Sequence, residues 1–132
     1  MSKLIHTMIR VRDLERSLDF YQKAFNLDVA HRLDFPDFTL AYLRNDETHA
    51  ELELTWNKGR AEPYTHGDGY GHVAVSVPDV KAERERLIGL GLTPNDVREF
   101  KNDDGSLIAR YFFIQDPDGY KIEVLERHGH YE

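Results

Sequence analysis

The sequence contains no cysteine, a single tryptophan and no long apolar run. Without cysteine it can form neither disulfides nor thiolate metal sites, and it has no cysteine nucleophile. No apolar stretch approaches the roughly 18 residues that a membrane-spanning helix needs, and the first residues lack the apolar segment of a signal peptide. We therefore expect a cytoplasmic protein with no membrane partner.

Basic residues are also scarce. The chain has 17 Lys and Arg residues against 24 Asp and Glu residues, which gives a net charge of −7. A nucleic-acid-binding protein usually carries a basic face, and no dense run of Lys and Arg supplies one here. We therefore expect no nucleic-acid partner. A chain of 132 residues suffices for one compact domain that buries roughly two-thirds of its unfolded surface.

The sequence repeats a pattern with an offset of 66 residues. His6 and His72 each lie in an alternating, strand-like segment. Asp13 and Asp79 each precede a helical pattern, where a carboxylate can cap the first free N–H groups of a helix. Three further strand-like runs follow each helix and are separated by turn-forming residues. The pattern predicts an α+β fold made of two βαβββ repeats.

The two predicted repeats span 1–57 and 70–126, joined by the linker 58–69 within a single domain, 1–132. The predicted helices cover 14–25 and 80–90, and the predicted strands cover 5–11, 28–33, 38–44, 49–56, 71–77, 97–100, 107–115 and 120–126. Apolar spacing predicts which helical side chains face the core. They are Leu14, Leu18, Tyr21 and Phe25 in the first helix and Val80, Leu87 and Ile88 in the second.

Strand alternation places four polar side chains at matching positions in the repeats. His6 and Glu53 match His72 and Glu123, and all four lie opposite the apolar faces that the helices can cover. Two imidazoles and two carboxylates form a nitrogen and oxygen ligand set for a divalent first-row metal, with two octahedral positions left for substrate. His and Glu on a strand face are also common as ordinary surface residues, so spacing alone leaves both readings open.

The motifs around these residues resemble the glyoxalase I family of the vicinal-oxygen-chelate superfamily. The matching segments cover nearly the whole chain and are His6–Val11, Ser17–Tyr21, Leu52–Asn57, Tyr70–Val75 and Asp116–Glu123. The Asp-Pro-Asp-Gly turn is shared across the superfamily, whereas the Glu-Leu-Thr-Trp-Asn segment is more typical of glyoxalase I. The resemblance implies two βαβββ repeats that form curled mixed sheets around a metal-binding cup.

This resemblance also implies an activity, the isomerisation of the methylglyoxal–glutathione hemithioacetal to S-D-lactoylglutathione, without an organic cofactor. By position, Glu123 corresponds to the main metal-bound base and Glu53 to a second catalytic carboxylate. His6 and His72 correspond to plain metal ligands. Short family members whose first ligand is His favour nickel or cobalt, so we expect Ni²⁺ or Co²⁺, with Zn²⁺ as the alternative. We also expect a homodimer whose metal sites are shared between chains.

Three residues match family positions that bind the glutathione part of the adduct. Arg10 and Asn57 correspond to contacts with the γ-glutamyl end, where a guanidinium can form a bidentate pair with a carboxylate. Lys101 lies near a basic contact to the glycyl carboxylate, although a solvated loop lysine is an equally good reading. Asp68 departs from the pattern, because some members carry Arg there and an acid repels a carboxylate. The preferred thiol is therefore left open.

Two other functions fit the same scaffold, because a fold alone does not determine a reaction. A metal-dependent acyl-thioester epimerase would also remove a proton next to a polarised carbonyl. A small-molecule-binding or antibiotic-binding protein without catalytic activity would need no metal. The second alternative gives no reason to place His6, Glu53, His72 and Glu123 at matching positions.

Overall fold

A computed structural model describes residues 1–132. The chain divides into two compact units, Met1–Thr65 and His66–Glu132. The boundary between them falls inside the predicted linker 58–69. The prediction that both repeats belong to one domain stays a prediction.

The first unit consists of one helix and a four-stranded mixed sheet. Its elements are β1 (His6–Val11), α1 (Leu14–Phe25), β2 (Asp28–Asp34), β3 (Phe38–Arg44) and β4 (Glu51–Asn57). The strand order is β1-β4-β3-β2. Strands β1 and β4 are parallel, and the other neighbours are antiparallel.

The second unit repeats this arrangement. Its elements are β5 (Val73–Val77), α2 (Val80–Gly89), β6 (Arg98–Lys101), β7 (Leu107–Gln115) and β8 (Lys121–Glu126). The strand order is β5-β8-β7-β6, with β5 and β8 parallel. The predicted α+β fold of two βαβββ repeats with mixed sheets is therefore confirmed. Neither helix has the length and apolar character that a membrane-spanning helix needs.

Side-chain caps define where both helices begin. The Asp13 carboxylate accepts a hydrogen bond from the backbone N–H of Arg16 at 3.1 Å, and the Asp79 carboxylate accepts bonds from two N–H groups of the first turn of α2. Helix α1 ends at Asn26, whose φ of 54° lies in the left-handed region that asparagine tolerates. These caps explain why the predicted bounds of α1 match the observed ones.

The buried stripe of α1 differs from the predicted one. Leu14 and Tyr21 are buried as predicted, but Ser17 and Ala24 are fully buried, whereas Leu18 and Phe25 are only half-buried. Small side chains at the contact allow a helix to approach the sheet closely. The spacing of large apolar residues does not reveal such a contact.

The prediction that Ile88 faces the core is wrong, because 43% of its surface is exposed. Val80 and Leu87 are fully buried and lie two helical turns apart, so they define the inner face of α2. Ile88 follows Leu87 by one residue and is therefore rotated by about 100° away from that face.

A tight turn between β7 and β8 fixes the start of the last strand. The buried Asp116 carboxylate accepts hydrogen bonds from the backbone N–H groups of Asp118 and Tyr120, both at 2.9 Å. Gly119 has a φ of 85°, a conformation that glycine adopts without steric cost. This turn sets the register that pairs Phe113 of β7 with Glu123 of β8.

Candidate metal centre

The first unit brings His6 and Glu53 together on neighbouring strands. His6 is the first residue of β1, and Glu53 lies opposite Met8 in the parallel pairing of β1 with β4. The His6 Nε2 and Glu53 Oε1 atoms are 3.5 Å apart. The Glu53 side chain is only 10% exposed and that of His6 is 36% exposed, so one edge of the pair remains open to solvent.

Two hydroxyl groups surround the Glu53 carboxylate. Thr55, on the same strand face, donates a hydrogen bond from Oγ1 to Glu53 Oε2 at 3.2 Å. Tyr42 lies opposite Glu53 on β3, and its hydroxyl hydrogen-bonds the same carboxylate. This hydrogen bond, followed by desolvation, raises the pKa of the Tyr42 hydroxyl above its usual value, so the group stays protonated and remains a donor. The Tyr42 ring also packs edge-on against the His6 ring.

The second unit brings His72 and Glu123 together in the equivalent way. His72 lies immediately before β5, one residue outside the strand that was predicted to contain it. Glu123 pairs with Ala74 across the parallel β5–β8 ladder, as Glu53 pairs with Met8 in the first unit. The His72 Nε2 and Glu123 Oε1 atoms are 3.6 Å apart, and the Glu123 side chain is 18% exposed.

Each pair presents donors that suit a divalent metal. An imidazole nitrogen and a carboxylate oxygen are separated by only 3.5 Å in one unit and 3.6 Å in the other. Such a pair can bind one ion from two sides. In neither unit do three or more His, Asp or Glu side chains gather into a metal-binding group. Each unit therefore contributes one pair of donors.

A cavity of about 520 Å³ in the second unit is lined in part by Phe113 of β7. Its lining also includes Thr93, Asn95, Gln115 and Lys121, whose side chains carry hydroxyl, amide and ammonium groups. Phe113 also packs edge-on against the His72 ring, with the ring centres 5.4 Å apart. Phe113 thus packs against the His72 ring and is also one of the residues that line a space able to receive a small organic group.

The predicted substrate contacts fall in different units. Arg10 on β1 and Asn57 at the end of β4 share the sheet face of Glu53, because Arg10 pairs with Thr55 and Asn57 follows Thr55 by two residues. Lys101 ends β6, and its ammonium lies 3.5 Å from the Glu99 carboxylate.

Sequence reasoning did not identify Tyr42 or Thr55 as part of the site. Thr55 could have been found, because it lies two residues after Glu53 and so shares its strand face. Tyr42 could not have been found in this way, since its position next to Glu53 depends on the register of β3 against β4.

The family model described as "Glyoxalase/Bleomycin resistance protein/Dioxygenase superfamily" matches residues 3–124. The chain is 44% identical over 131 residues to a lactoylglutathione lyase of Neisseria meningitidis serogroup A, covering 95% of this chain and 91% of the relative. It is 41% identical over 130 residues to a lactoylglutathione lyase of Haemophilus influenzae, covering 94% of this chain and 92% of the relative.

Solved structures of similar architecture include two glyoxalase I enzymes. The trypanothione-dependent glyoxalase I of Leishmania major matches with a TM-score of 0.76 and 34% identity, covering 96% of this chain and 87% of that chain. Glyoxalase I from Zea mays matches with a TM-score of 0.81 and 30% identity, covering 96% of this chain and 45% of that chain. With a family model that spans most of its length and relatives this similar over nearly the whole sequence, the chain belongs to the Glyoxalase/Bleomycin resistance protein/Dioxygenase superfamily.

Proposed function

We propose that this chain is a lactoylglutathione lyase that isomerises the methylglyoxal–glutathione hemithioacetal to S-D-lactoylglutathione and so detoxifies methylglyoxal. The observation that carries the proposal is the matched pair of His–Glu contacts, at 3.5 Å and 3.6 Å, in equivalent positions of the two units. Relatives named lactoylglutathione lyase are 41% and 44% identical over more than nine-tenths of the chain. They do not favour the acyl-thioester epimerase or the non-catalytic binding protein.

The reaction depends on a divalent metal, and His6, Glu53, His72 and Glu123 are the residues that would hold it. When bound, the ion supplies Lewis-acid polarisation of the adduct's oxygens. The donor set fits this role because it contains only imidazoles and carboxylates, which suit divalent first-row ions. Two imidazoles and two carboxylates leave open positions in an octahedral site, and Ni²⁺ and Co²⁺ accept that geometry more readily than Zn²⁺. We therefore propose Ni²⁺ or Co²⁺ as the working ion.

Glu123 is the proposed base. Its carboxylate removes the proton from the carbon that carries sulfur and returns it to the neighbouring carbon. The hydroxyl proton on the first carbon moves to the oxygen of the neighbouring carbonyl, so the first carbon becomes the thioester carbonyl and the neighbouring carbon carries the hydroxyl. The reaction therefore needs no oxidant and no organic cofactor. Glu123 suits this task because it is less buried than Glu53 and lies on the strand face next to Phe113, which lines the cavity. Glu53 is the second carboxylate and serves chiefly as a ligand.

The glutathione part of the adduct carries two carboxylates that need cationic or amide partners. Arg10 and Asn57 lie on the strand face of Glu53 and are the proposed contacts for the γ-glutamyl end. Lys101 is the proposed contact for the glycyl carboxylate, in competition with its present partner Glu99 at 3.5 Å. Asp68 is exposed and acidic, so a thiol with fewer negative charges than glutathione remains a candidate substrate partner.

The assembly that completes the site is proposed to be a homodimer. Each unit supplies two donors, and a divalent ion in a nitrogen and oxygen site takes four to six. In the proposed dimer, His6 and Glu53 of one chain meet His72 and Glu123 of the other. The location is proposed to be the cytoplasm, which cell fractionation tests.

The decisive experiment compares substrates with one metal-loaded preparation. Purified chain is stripped of metal, reloaded with Ni²⁺ and supplied with methylglyoxal plus glutathione, methylglyoxal plus other thiols, or a chiral acyl thioester. Formation of S-D-lactoylglutathione at a rate well above that of the other pairs supports the proposal. Epimerisation of the acyl thioester without isomerisation of the hemithioacetal contradicts it.

A further inference from the structure

The surroundings of the two candidate carboxylates differ although their positions in the fold are equivalent. Glu53 has the hydroxyl of Tyr42 opposite it on β3 and the hydroxyl of Thr55 two residues further along β4. In the second unit, the residue opposite Glu123 on β7 is Phe113. The residue two positions after Glu123 is Leu125. The second unit therefore replaces both hydroxyl-bearing side chains with apolar ones.

The two hydroxyls restrict Glu53 in different directions. Glu53 Oε1 faces His6 Nε2 at 3.5 Å, while Glu53 Oε2 accepts the Thr55 hydrogen bond at 3.2 Å. Rotation of the carboxylate would break this bond inside a site where the Glu53 side chain is only 10% exposed and water cannot readily replace the donor. Tyr42 adds a second hydrogen bond and packs its ring against His6, so it restrains both members of the pair.

Phe113 reproduces only part of the role of Tyr42. Its ring packs edge-on against His72 with the ring centres 5.4 Å apart, as the Tyr42 ring packs against His6 at 5.5 Å. It carries no hydroxyl to hold the carboxylate of Glu123. The imidazole is therefore oriented in both units, but the carboxylate is hydrogen-bonded by its two neighbours only in the first.

We propose, on the basis of the proposed function, that Tyr42 and Thr55 are positioning residues that fix Glu53 as a stationary metal ligand. The apolar neighbours Phe113 and Leu125 leave Glu123 mobile enough to transfer a proton. Hydrogen bonds to a ligating carboxylate orient it toward the ion, and their loss typically weakens metal binding by 10-fold to 100-fold, as an order of magnitude. A carboxylate that moves between ion and substrate must lack such restraints. The division of labour between two equivalent carboxylates thus depends on two hydroxyl groups.

The test measures Co²⁺ binding in the absence of substrate. The dissociation constant is obtained by titrating the full chain with Co²⁺ and following the visible absorption bands of the bound ion. Tyr42→Phe installs the residue type of the second unit, and Thr55→Val removes the hydroxyl with little change in shape. Each variant is expected to bind Co²⁺ about tenfold more weakly, with altered band positions. The conservative variant Thr55→Ser keeps the hydroxyl and is expected to bind Co²⁺ as tightly as the wild type does.

A reciprocal variant tests the mobility of Glu123. Phe113→Tyr adds a hydroxyl opposite Glu123 on a half-buried ring. We expect kcat at saturating Co²⁺ to fall about tenfold or more. We expect the affinity for Co²⁺ not to decrease. A merely structural role for Tyr42 and Thr55 would not produce opposite effects on binding and turnover in the two units.

The outcomes separate this inference from the proposed function. Unchanged Co²⁺ affinity in both Tyr42→Phe and Thr55→Val overturns the positioning role, as does equal weakening in Thr55→Ser and Thr55→Val. A kcat of Phe113→Tyr equal to that of the wild type overturns the mobility of Glu123. If the wild type binds Co²⁺ and the hydroxyl variants bind it more weakly, but no preparation turns over the hemithioacetal, the positioning role stands and the proposed reaction fails.

Discussion

Replacing Glu123 with glutamine removes the proposed base while it preserves the length and nearly the volume of the side chain. General base catalysis typically accelerates a reaction by about 10²–10⁴-fold, which corresponds to about 3–5 kcal/mol of activation free energy. We expect kcat of Glu123→Gln to fall by at least this factor, because the amide oxygen cannot accept the proton and is also a weaker ligand. The side chains of His72 and Glu123 are 41% and 18% exposed.

That exposure limits the effect of the substitution on stability. A partly exposed contact of this kind contributes at most about 1 kcal/mol to folding, so Glu123→Gln should unfold at nearly the same temperature as the wild type. Turnover is measured with the hemithioacetal at saturating Ni²⁺, and bound metal is quantified in the same sample. A folded variant with full metal content then isolates the loss of the base from the loss of the ion.

Glu53→Gln is the matched control, because it makes the same chemical change at the equivalent position of the first unit. We expect Glu53→Gln to weaken metal binding more strongly than Glu123→Gln and to lower kcat less once the site is saturated. A folded, metal-loaded Glu123→Gln protein that retains near-wild-type turnover would refute the assignment. The base would then most simply be Glu53.

Three further perturbations test the binding, assembly and stability arguments. Arg10→Ala is expected to raise KM for the hemithioacetal while kcat changes little, because the lost contact is equally strong in the ground state and the transition state. Steady-state kinetics with a lower kcat and an unchanged KM would instead show that Arg10 takes part in the chemical step. Mixing inactive His6→Ala and Glu123→Ala chains should restore activity after subunit exchange, because one site of each mixed dimer contains both substitutions and the other contains neither. Confirmed exchange without activity would rule out sites shared between chains. Leu54→Ala should lower the free energy of unfolding by about 2–5 kcal/mol, because Leu54 is fully buried. Chemical denaturation measures this change, and a smaller value would mean that the core collapses around the gap.

Much of the fold followed from local signals in the sequence. The caps at Asp13 and Asp79 determine where the helices begin, and the sequence shows them directly because a cap acts on the next few residues. Strand alternation likewise predicted that Glu53 and Glu123 lie on polar faces. In the structure, the Oε1 atom of each lies 3.5 Å or 3.6 Å from the Nε2 atom of its histidine.

Packing between elements was harder to predict. The buried stripe of α1 includes Ser17 and Ala24, whose small side chains permit close approach to the sheet. A pattern based on large apolar residues instead selected Leu18 and Phe25. In α2, only the sheet beneath the helix distinguishes Leu87 from Ile88, since both are large, apolar and adjacent in sequence.

The environment of the candidate site depends on strand register. Tyr42 lies next to Glu53 only because β3 pairs with β4 in the observed register, and a shift by one residue would turn that side chain to the other face. The sequence gives the residue types but not this pairing. The difference between Tyr42 and Phe113 therefore became visible only in the structure. The proposed division of labour between the two carboxylates depends on this difference.

A metal titration with simultaneous turnover tests the central claim most directly. Metal-free chain is titrated with Ni²⁺, and in parallel with Co²⁺ and Zn²⁺, while bound ion and isomerisation of the methylglyoxal–glutathione hemithioacetal are measured in each sample. We expect turnover to rise in proportion to bound Ni²⁺ or Co²⁺ and to reach a plateau near one ion per chain, with little turnover for Zn²⁺. Equal turnover with Zn²⁺ would contradict the choice of ion and leave the ligands intact. Full turnover in the metal-free chain, or stoichiometric Ni²⁺ and Co²⁺ binding without any isomerisation, would contradict the proposed enzyme itself.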